Sequence, residues 1–287
     1  MTDRRFRSDS GALEIHETYE TLLQRYLPSA VRHTIATSIG DIATITSGSP
    51  DAPPVVLLHG SGSTALSWAP TIQRLTATHR VHAIDLPGEP GQSTPTRIPF
   101  VVHDQASWLS EVHRELVGGP AAYVGVSLGG WIATAFAASY PDQVTHLILH
   151  SSSGFGPRKI APLVVAGLLT ALGEPGRRRA LSYLTGPRKN QEPRTELQAQ
   201  LDLYALRTFA HFSPRTDALP EHSTEVLQGI RGQLTATFGA KDRMLDAVAA
   251  AHRIRAEIPS ASVELRPDEG HILSDQPALT YNQLASR

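Results

Sequence analysis

Six short apolar runs, each ending in turn residues, recur along the chain after residue 52. They read PPVVLLHG (53–60), RVHAIDLPG (80–88), AAYVGVS (121–127), VTHLILHSS (144–152), QLTATFGAKD (233–242) and SVELRPDEGH (262–271). Both faces of these runs are apolar, which is typical of buried strands in a parallel sheet. Patterns that favour helices separate most of the runs, at 68–78, 104–117, 128–139 and 246–257. Because strands and helices alternate, the sequence predicts an α/β fold with a mostly parallel sheet and helices on both faces.

Residues 1–52 follow a different pattern. The stretch VRHTIATSIGDIATITSG (31–48) has alternating β-branched residues interrupted at Gly40–Asp41, which predicts a hairpin of two strands. Together with the six runs, the hairpin gives eight predicted strands. The preceding residues, 1–30, form an N-terminal extension. Within it we expect disorder over the first ten residues and a short amphipathic helix from Tyr19 to Tyr26, which ends before Pro28.

The alternation of strands and helices stops between residues 153 and 229. Clusters of Gly, Pro and Arg (GFGPRK, GEPGRRR, TGPRKN) separate helical pieces such as IAPLVVAGLLTAL and TELQAQLDLYALRTFAHF. We interpret this segment as a helical cap inserted between two strands of the sheet. The predicted organisation is therefore an extension at 1–30, an α/β core at 31–152 and 230–287, and a cap at 153–229.

Charge and composition exclude several classes of function. The 287 residues carry a formal net charge of −1, so no overall field favours binding to nucleic acid or to an anionic membrane. The absence of cysteine excludes disulfides, cysteine nucleophiles and thiolate metal sites. The basic N-terminus lacks the apolar segment of a signal peptide, and no stretch approaches the roughly 20 apolar residues that span a bilayer. We expect a cytoplasmic monomer or homodimer without nucleic-acid or membrane partners.

The histidines give no indication of a metal site. No H-E-x-x-H motif occurs in the sequence. Six histidines lack the spacing of metal ligands: His103, His113, His146, His150, His211 and His252. We therefore predict neither a metal nor another cofactor.

Ser127 lies between two glycines, in the segment VGVSLGG (124–130), directly after an apolar run. Gly125 and Gly129 leave room for a sharp strand-to-helix turn, which would strain Ser127 and expose its Oγ atom. Such a turn lies beyond the carboxyl end of a strand, where ligands bind to doubly wound sheets. It also places the N–H of Leu128 at a helix N-terminus, where it would stabilise a developing oxyanion. Serine between glycines occurs in ordinary turns too, so a structural turn is the alternative.

Three segments resemble motifs of the α/β-hydrolase family. GVSLG (125–129) matches the G-x-S-x-G nucleophile elbow of that family, and LLHGSG (57–62) resembles the turn after its third strand. DLPGEPGQS (85–93) resembles its D-x-P-G-x-G-x-S loop, with one extra residue before the second glycine. The resemblance implies an α/β-hydrolase fold with an eight-stranded sheet and an inserted cap. It also implies that the backbone N–H groups of Ser61 and Leu128 form an oxyanion hole.

A catalytic triad follows from the same resemblance. The order Ser127, Asp242, His271 fits the family order of nucleophile, acid and base, and each residue ends a predicted strand. A serine hydroxyl is a weak nucleophile, so it needs a base within hydrogen-bond reach and a third group that orients the base. On this interpretation His271, in DEGHILSDQP, takes the proton of Ser127, and Asp242, in FGAKDRM, accepts from the imidazole Nδ1–H.

Other polar residues near these motifs have structural interpretations. Asp246, Asp268 and Glu269 are rivals of Asp242, but Asp246 is expected to cap a helix, and the other two lie too close to the base along the same loop. His59 is expected to brace the oxyanion turn through backbone hydrogen bonds, because buried polar groups are usually satisfied locally. Asp85 is expected to stabilise its own loop.

The substrate pocket is the least specific part of the prediction. Four residues are candidates for lining an apolar acyl or alcohol pocket, with ordinary core packing as the alternative: Trp68, Leu203, Tyr204 and Phe209. The basic run GRRRA (176–180) could contact an anionic substrate, but a solvated helix face is the more common role of such a run.

The implied reaction is hydrolysis of a carboxylic ester. The stretches SGSPDAPPVVLLHG, VGVSLGG and GHILSDQP are similar to bacterial carboxylesterases of the naproxen-esterase type. This resemblance implies that the substrate is a carboxylic ester of a small or medium apolar compound, which is cleaved through an acyl-enzyme intermediate. A serine at 127 disfavours haloalkane dehalogenase and epoxide hydrolase chemistry, which uses a carboxylate there. The same triad could act on a lactone, a thioester or a carbon–carbon bond. A non-hydrolytic cyclase or lyase, or a ligand receptor, is a further alternative.

Overall fold

One eight-stranded sheet organises the chain in the computed structural model, which describes residues 3, 5–187, 195–215 and 217–285. The strands are β1 (Val31–Thr37), β2 (Gly40–Ser47), β3 (Pro54–Leu58), β4 (Arg80–Ile84), β5 (Ala121–Val126), β6 (Val144–His150), β7 (Gln233–Gly239) and β8 (Ser262–Arg266). Their order across the sheet is β1-β2-β4-β3-β5-β6-β7-β8. The pairs β1–β2 and β2–β4 are antiparallel, and the remaining pairs are parallel. The predicted hairpin and the mostly parallel sheet are thus confirmed.

Ten helices accompany the sheet within the described residues. They are α1 (Asp9–Tyr26), α2 (Ala69–Leu75), α3 (Val102–Leu116), α4 (Leu128–Ser139), α5 (Ile160–Thr170), α6 (Gly173–Thr185), α7 (Glu196–His211), α8 (Thr224–Gln228), α9 (Ala247–Glu257) and α10 (Gln276–Ala285). Helices α2, α3, α4 and α9 correspond to the four helical patterns of the sequence, whereas α10 was not predicted. Within the described part of the chain, no helix combines the length and apolar character that crossing a bilayer requires.

Two apolar layers cover the two faces of the sheet. Successive side chains of a strand point to opposite faces, so a strand that is apolar throughout contributes to both layers. In β3, Val56 and Leu58 belong to one buried cluster, whereas Val55 and Leu57 belong to the other. The central strands are therefore buried on both faces.

The N-terminal segment is more ordered than the sequence predicts. Helix α1 begins at Asp9, ten residues before the predicted start, and the Ser8 hydroxyl accepts from the N–H of Gly11 at 3.1 Å. Burial of Ile15 and other side chains of α1 contributes about 1.5–3 kcal/mol each, which anchors the helix to the sheet. The expected disorder is therefore wrong for residues 3 and 5–10, because Arg5 is also buried, among backbone carbonyls. Residues 1, 2 and 4 lie outside the described residues.

Helices α5 to α8 occupy the chain between β6 and β7, at the position of the predicted cap. Helix α7 packs against α1 and α6, whereas α8 packs against α4 and α9 of the core. Residues 188–194 and 216 of the predicted cap lie outside the described residues. The cap boundaries at 153 and 229 stay a prediction.

Candidate active site

Ser127 occupies a strained turn between β5 and α4. Its backbone φ is +50° and its ψ is −110°, a conformation that costs on the order of 1–3 kcal/mol in a residue other than glycine. The Ser127 carbonyl accepts from the N–H groups of Trp131 and Ser153, at 3.1 and 3.2 Å. Because α4 begins at Leu128, the N–H of Leu128 is one of the first donors of the helix, which have no acceptor within it.

The glycines on either side of Ser127 are required by close backbone contacts. A Cβ atom on Gly125 would lie 2.5 Å from the carbonyl oxygen of Gly129. A Cβ atom on Gly129 would collide with the carbonyl oxygens of Leu58 and His59, at the end of β3. Strand β3, strand β5 and helix α4 therefore approach one another more closely than residues with side chains would allow.

A turn after β3 lies against the Ser127 turn and is held by His59. A Cβ atom on Gly60 would lie 3.6 Å from the Cβ atom of Ser127. The N–H of Leu86 donates to Nε2 of His59 at 3.0 Å, so Nδ1 carries the proton and donates to the Gly60 carbonyl at 2.8 Å. Burial lowers the pKa of His59, which keeps the imidazole neutral. Since the C=O and N–H of a planar trans peptide point in opposite directions, His59 thereby orients the N–H of Ser61.

Asp85 joins three segments behind this turn. Its Oδ1 atom accepts from the N–H of Ala65 at 2.7 Å, and Oδ2 accepts from the N–H of Gln92 at 3.1 Å and from the Tyr19 hydroxyl at 3.0 Å. Burial, followed by the charge of Asp85, raises the pKa of Tyr19 well above its usual value, so the phenol remains a donor. Asp85 thus connects helix α1, the segment before α2 and the loop after β4, which is the stabilising role expected from the sequence.

Asp242 and His271 form a buried pair beyond the ends of β7 and β8. Their side chains are 0% and 6% exposed, and Oδ2 of Asp242 lies 2.7 Å from Nδ1 of His271. The other carboxylate oxygen, Oδ1, accepts from the N–H groups of Met244 and Leu245 at 2.7 and 3.0 Å. Because two backbone donors fix Oδ1, the carboxylate has only one oxygen available to orient the imidazole.

The rival carboxylates have other partners. Asp246 caps α9 by accepting from the N–H of Ala249, as the sequence predicts. Asp268 forms an exposed ion pair with Lys241, at 2.9 Å. Glu269 is buried, accepts from the N–H of Ser274 at 2.7 Å and contacts the guanidinium of Arg266 at 3.2 Å. Glu269 therefore braces the loop that contains the histidine.

A cavity of about 80 Å³ adjoins Ser127, and residues of the chain between β6 and β7 form part of its wall. It is lined by Ser61, Phe100, Ser127, Leu128, Ser153, Arg158, Leu163, Arg215, Asp217, Leu219, Met244 and Leu245. Six of these twelve side chains are apolar. Arg215 is neutralised by its ion pair with Asp217 and lies over the ring of Phe100, whereas Arg158 is exposed. The cavity thus lies between the Ser127 turn, the turn after β3 and the residues that hold Asp242.

None of the four predicted pocket residues is among those that line this cavity. Trp68 and Tyr204 are 2% and 5% exposed, and both belong to the apolar cluster that contains α1. Leu203 is 42% exposed, at a separate cleft between α6 and α7, and Phe209 is half-buried on α7. The physical reason for Tyr204 is that α7 packs against α1, so this side chain joins the apolar cluster of the N-terminal helix, whereas Leu203 faces the cleft toward α6.

The sequence patterns did not identify several residues that line or support the site. Leu163 of α5 and Leu219 before α8 line the cavity. The sequence of their segments indicates a helix and a loop but not that either residue faces a cavity. Arg5 donates to the carbonyls of Glu89, Gly91 and Ser93, at 2.7, 3.2 and 2.9 Å. A signal for Glu89 did exist, in the extra residue of the loop after β4. Among the described residues, no group of three or more potential ligands is arranged to hold a metal ion.

The chain is similar to known proteins along nearly its whole length. A sequence model of the alpha/beta hydrolase family matches residues 55–283. A Bacillus subtilis (strain 168) protein named uncharacterized carboxylesterase nap is 27% identical over 282 residues, which are 98% of this chain and 93% of that protein. Carboxylesterase YbfK of the same organism is 24% identical over 284 residues, covering 98% of this chain and 95% of that protein.

Solved structures show the same similarity. The crystal structure of naproxen esterase (carboxylesterase NP) from Bacillus subtilis has a TM-score of 0.80 at 26% identity, and the match covers 97% of this chain and 98% of that one. Carboxylesterase CesB (YbfK) has a TM-score of 0.80 at 23% identity, covering 96% and 98%. The segment matched by the family model contains the Ser127 turn, the turn after β3 and the buried pair of Asp242 and His271.

Proposed function

Because the chain belongs to the alpha/beta hydrolase family, we propose that it is a serine carboxylesterase that cleaves esters of small or medium apolar acids. The observation that carries the proposal is the position of Ser127. It lies in a strained turn at the carboxyl end of β5 and shares one cavity with Ser61 and Leu128. The full-length similarity to proteins named carboxylesterases gives independent support for the reaction class.

The proposed reaction has two halves. In the first, Oγ of Ser127 attacks the ester carbonyl, Nε2 of His271 takes the proton, and the N–H groups of Ser61 and Leu128 bind the oxyanion. The imidazolium returns the proton to the alcohol as it leaves, and Asp242 stabilises the charged ring. In the second half His271 deprotonates a water molecule that attacks the acyl-enzyme, which releases the acid and restores Ser127.

The substrate class follows from the cavity. A volume of about 80 Å³ holds a compact group, and half of the lining side chains are apolar. An apolar wall excludes water and strengthens the electrostatic interactions of the oxyanion turn. We therefore expect short-chain and compact acyl esters to be better substrates than long-chain esters. Location and oligomeric state stay predictions from the sequence.

A burst experiment tests the proposal. On mixing with p-nitrophenyl acetate, the enzyme should release p-nitrophenol in a rapid phase whose amplitude matches the enzyme concentration, because the acyl-enzyme accumulates before water attacks. Ser127→Ala should lose both the burst and the turnover. Cleavage of a lactone or thioester with no cleavage of carboxylic esters would contradict the substrate class. Turnover that persists in Ser127→Ala would contradict the mechanism.

A further inference from the structure

Glu89 is a buried carboxyl group that the proposed reaction does not use. It stands in the loop after β4, at the point where DLPGEPGQS has one residue more than the family pattern. Only 1% of Glu89 is exposed to solvent. Glutamate is almost never buried to this extent unless a partner compensates for the lost hydration, so its contacts require an explanation.

The partners of Glu89 belong to the oxyanion turn. Its Oε2 atom accepts from the N–H of Gly62 at 2.6 Å, and both carboxyl oxygens lie 3.4 Å from the hydroxyl of Ser61. The carbonyl of Glu89 accepts from Arg5 at 2.7 Å, and the same guanidinium nitrogen also donates to Gly91 and Ser93. The side chain and the backbone of Glu89 are therefore both fixed, which makes it a rigid support.

The peptide units on both sides of Ser61 are held by different side chains. The unit before Ser61 is fixed through the Gly60 carbonyl, which accepts from His59. The unit after Ser61 is fixed through the Gly62 N–H, which donates to Glu89. Gly62 adopts a positive φ of +70°, and a Cβ atom built on it would have no heavy atom within 4 Å, so no neighbouring group packs against this side of the residue. A backbone hydrogen bond from the Ser63 N–H to the Gly60 carbonyl, at 3.3 Å, also spans the turn, but the 2.6 Å hydrogen bond to Glu89 is the one that holds the N–H of the second unit directly.

We propose that the ionised carboxylate of Glu89 is a positioning residue, which locks the turn that carries the Ser61 N–H in the geometry needed to bind the oxyanion. This inference rests on the proposed function, since it assigns a role to a residue behind the same site. Glu89 does not contact the reacting atoms. It acts on them through Gly62 and Ser61.

The charge state of Glu89 makes this support dependent on pH. Burial raises the pKa of Glu89 to about 7, against the opposing effects of the Gly62 N–H, of Arg97 and Arg215, and of Ser61. An ionised acceptor forms a hydrogen bond roughly twice as strong as a neutral one, so the turn loosens as Glu89 takes up a proton below pH 7. The charged or titratable groups of the elements packed around it are Arg5, His59, Asp85, Arg97 and Arg215.

Three variants test the role of Glu89 in catalysis. Glu89→Ala should lower kcat at pH 8.5 by about 10- to 100-fold with little change in KM, because a displaced catalytic donor costs rates of this order. Glu89→Gln keeps a neutral oxygen acceptor for Gly62, as in protonated Glu89, so its rate at pH 8.5 should lie between those of the wild type and Glu89→Ala. The matched control is Glu111→Gln, since Glu111 accepts from the N–H and hydroxyl of Ser38 at the surface.

The pH profile separates positioning from a purely structural role. In the wild type, kcat should fall through an ionisation near pH 7 that Glu89→Gln lacks, whereas Glu111→Gln should retain it. Every titrating group other than residue 89 or residue 111 is common to all three proteins. An unchanged kcat in Glu89→Ala, or identical profiles for Glu89→Gln and the wild type, would overturn the proposal.

An NMR titration monitors the hydrogen bond between Gly62 and Glu89 independently of enzymatic activity. The Gly62 amide proton should shift with a midpoint near pH 7 in the wild type and should not shift in Glu89→Gln, because its acceptor then keeps a constant charge. A Gly62 resonance that does not titrate in the wild type would also overturn the proposal. Turnover that does not depend on Ser127 would instead contradict the proposed function, so the two failures are distinguishable.

Discussion

Replacement of Glu89 by glutamine removes a buried charge, and we expect the variant to be more stable than the wild type at alkaline pH. Glutamine has nearly the same shape and can still accept from the Gly62 N–H. The carboxyl of Glu89 has a pKa of about 7 in the folded protein, against an ordinary value of 4.5. The folded state therefore binds the proton more tightly than the unfolded state does, and ionisation of Glu89 destabilises the fold.

The size of the effect follows from the two pKa values. A gap of about 2.5 units corresponds to about 3 kcal/mol at 1.36 kcal/mol per unit. Because the folded value is raised, the stabilising contribution of the protonated group is fully present below pH 4.5 and is lost as the pH rises through 7. Between pH 5.5 and 8.5, the free energy of unfolding of Glu89→Gln should rise relative to the wild type by about 2 kcal/mol.

Urea denaturation followed by circular dichroism measures this difference at both pH values. Every other titrating group is shared by the two proteins, so the difference between them isolates position 89. A difference that is the same at pH 5.5 and 8.5 would refute the reasoning. The Glu111→Gln variant is the control, and a pH-dependent change of equal size there would show that burial is not the cause. A glutamate that costs stability at alkaline pH is expected where a residue serves the site rather than the fold.

Three further substitutions test other parts of the site. Gly129→Ala should destabilise the protein by about 1–3 kcal/mol or more and should abolish turnover, because the methyl group would meet the carbonyl oxygens of Leu58 and His59. The control Gly119→Ala should be nearly neutral in a thermal melt, because no atom lies near its Cβ position. Asp242→Asn should lower kcat by about 10⁴-fold, because two backbone donors hold the amide oxygen and turn the NH₂ group toward the imidazole, forcing the wrong tautomer. Asp246→Asn keeps its helix cap, so equal losses in both variants would contradict this account. Arg5→Ala removes the donor to three carbonyls of the loop after β4, so it should lower both kcat and the urea midpoint of unfolding. An unchanged kcat would show that the N-terminal segment does not support the site.

Local patterns were sufficient to predict the sheet and the serine turn. Each strand run is short, apolar on both faces and bounded by turn residues. These local features were enough to predict buried parallel strands and their positions along the chain. The glycines at 125 and 129 have a local cause, since the backbone after β5 touches α4 and the end of β3. The family resemblance then placed Asp242 and His271, which the structure joins at 2.7 Å.

Long-range contacts account for what the sequence did not predict. Arg5 is buried against backbone carbonyls of residues that lie 84 to 88 positions away in the sequence, so no local pattern could predict its burial. Gly11 weakens the helical pattern near the N-terminus, yet a Cβ atom there would lie 2.5 Å from Nδ1 of His211 on α7. Such a glycine signals packing between helices, and the periodicity of one segment does not contain that information.

The choice of pocket residues shows the same limit. Tyr204 is buried in the core, which was the alternative to its predicted place in the pocket, and the sequence of its own segment does not say which element covers it. In the folded chain α1 covers it, and the cavity is lined instead by Leu163 and Leu219. The extra residue in the loop after β4 was visible as a departure from the family pattern. The hydrogen bond between Glu89 of this loop and Gly62 became visible only in the folded chain.

Labelling with a fluorophosphonate tests the central claim, that Ser127 is an activated nucleophile. Attack of Oγ on phosphorus displaces fluoride and adds one phosphonyl group, which intact-protein mass spectrometry detects. We predict one added group in the wild type, none in Ser127→Ala, and one in Ser153→Ala, whose altered serine lines the same cavity but lies outside the strained turn. Absence of label in folded wild-type protein, or label that persists in Ser127→Ala, would contradict the account.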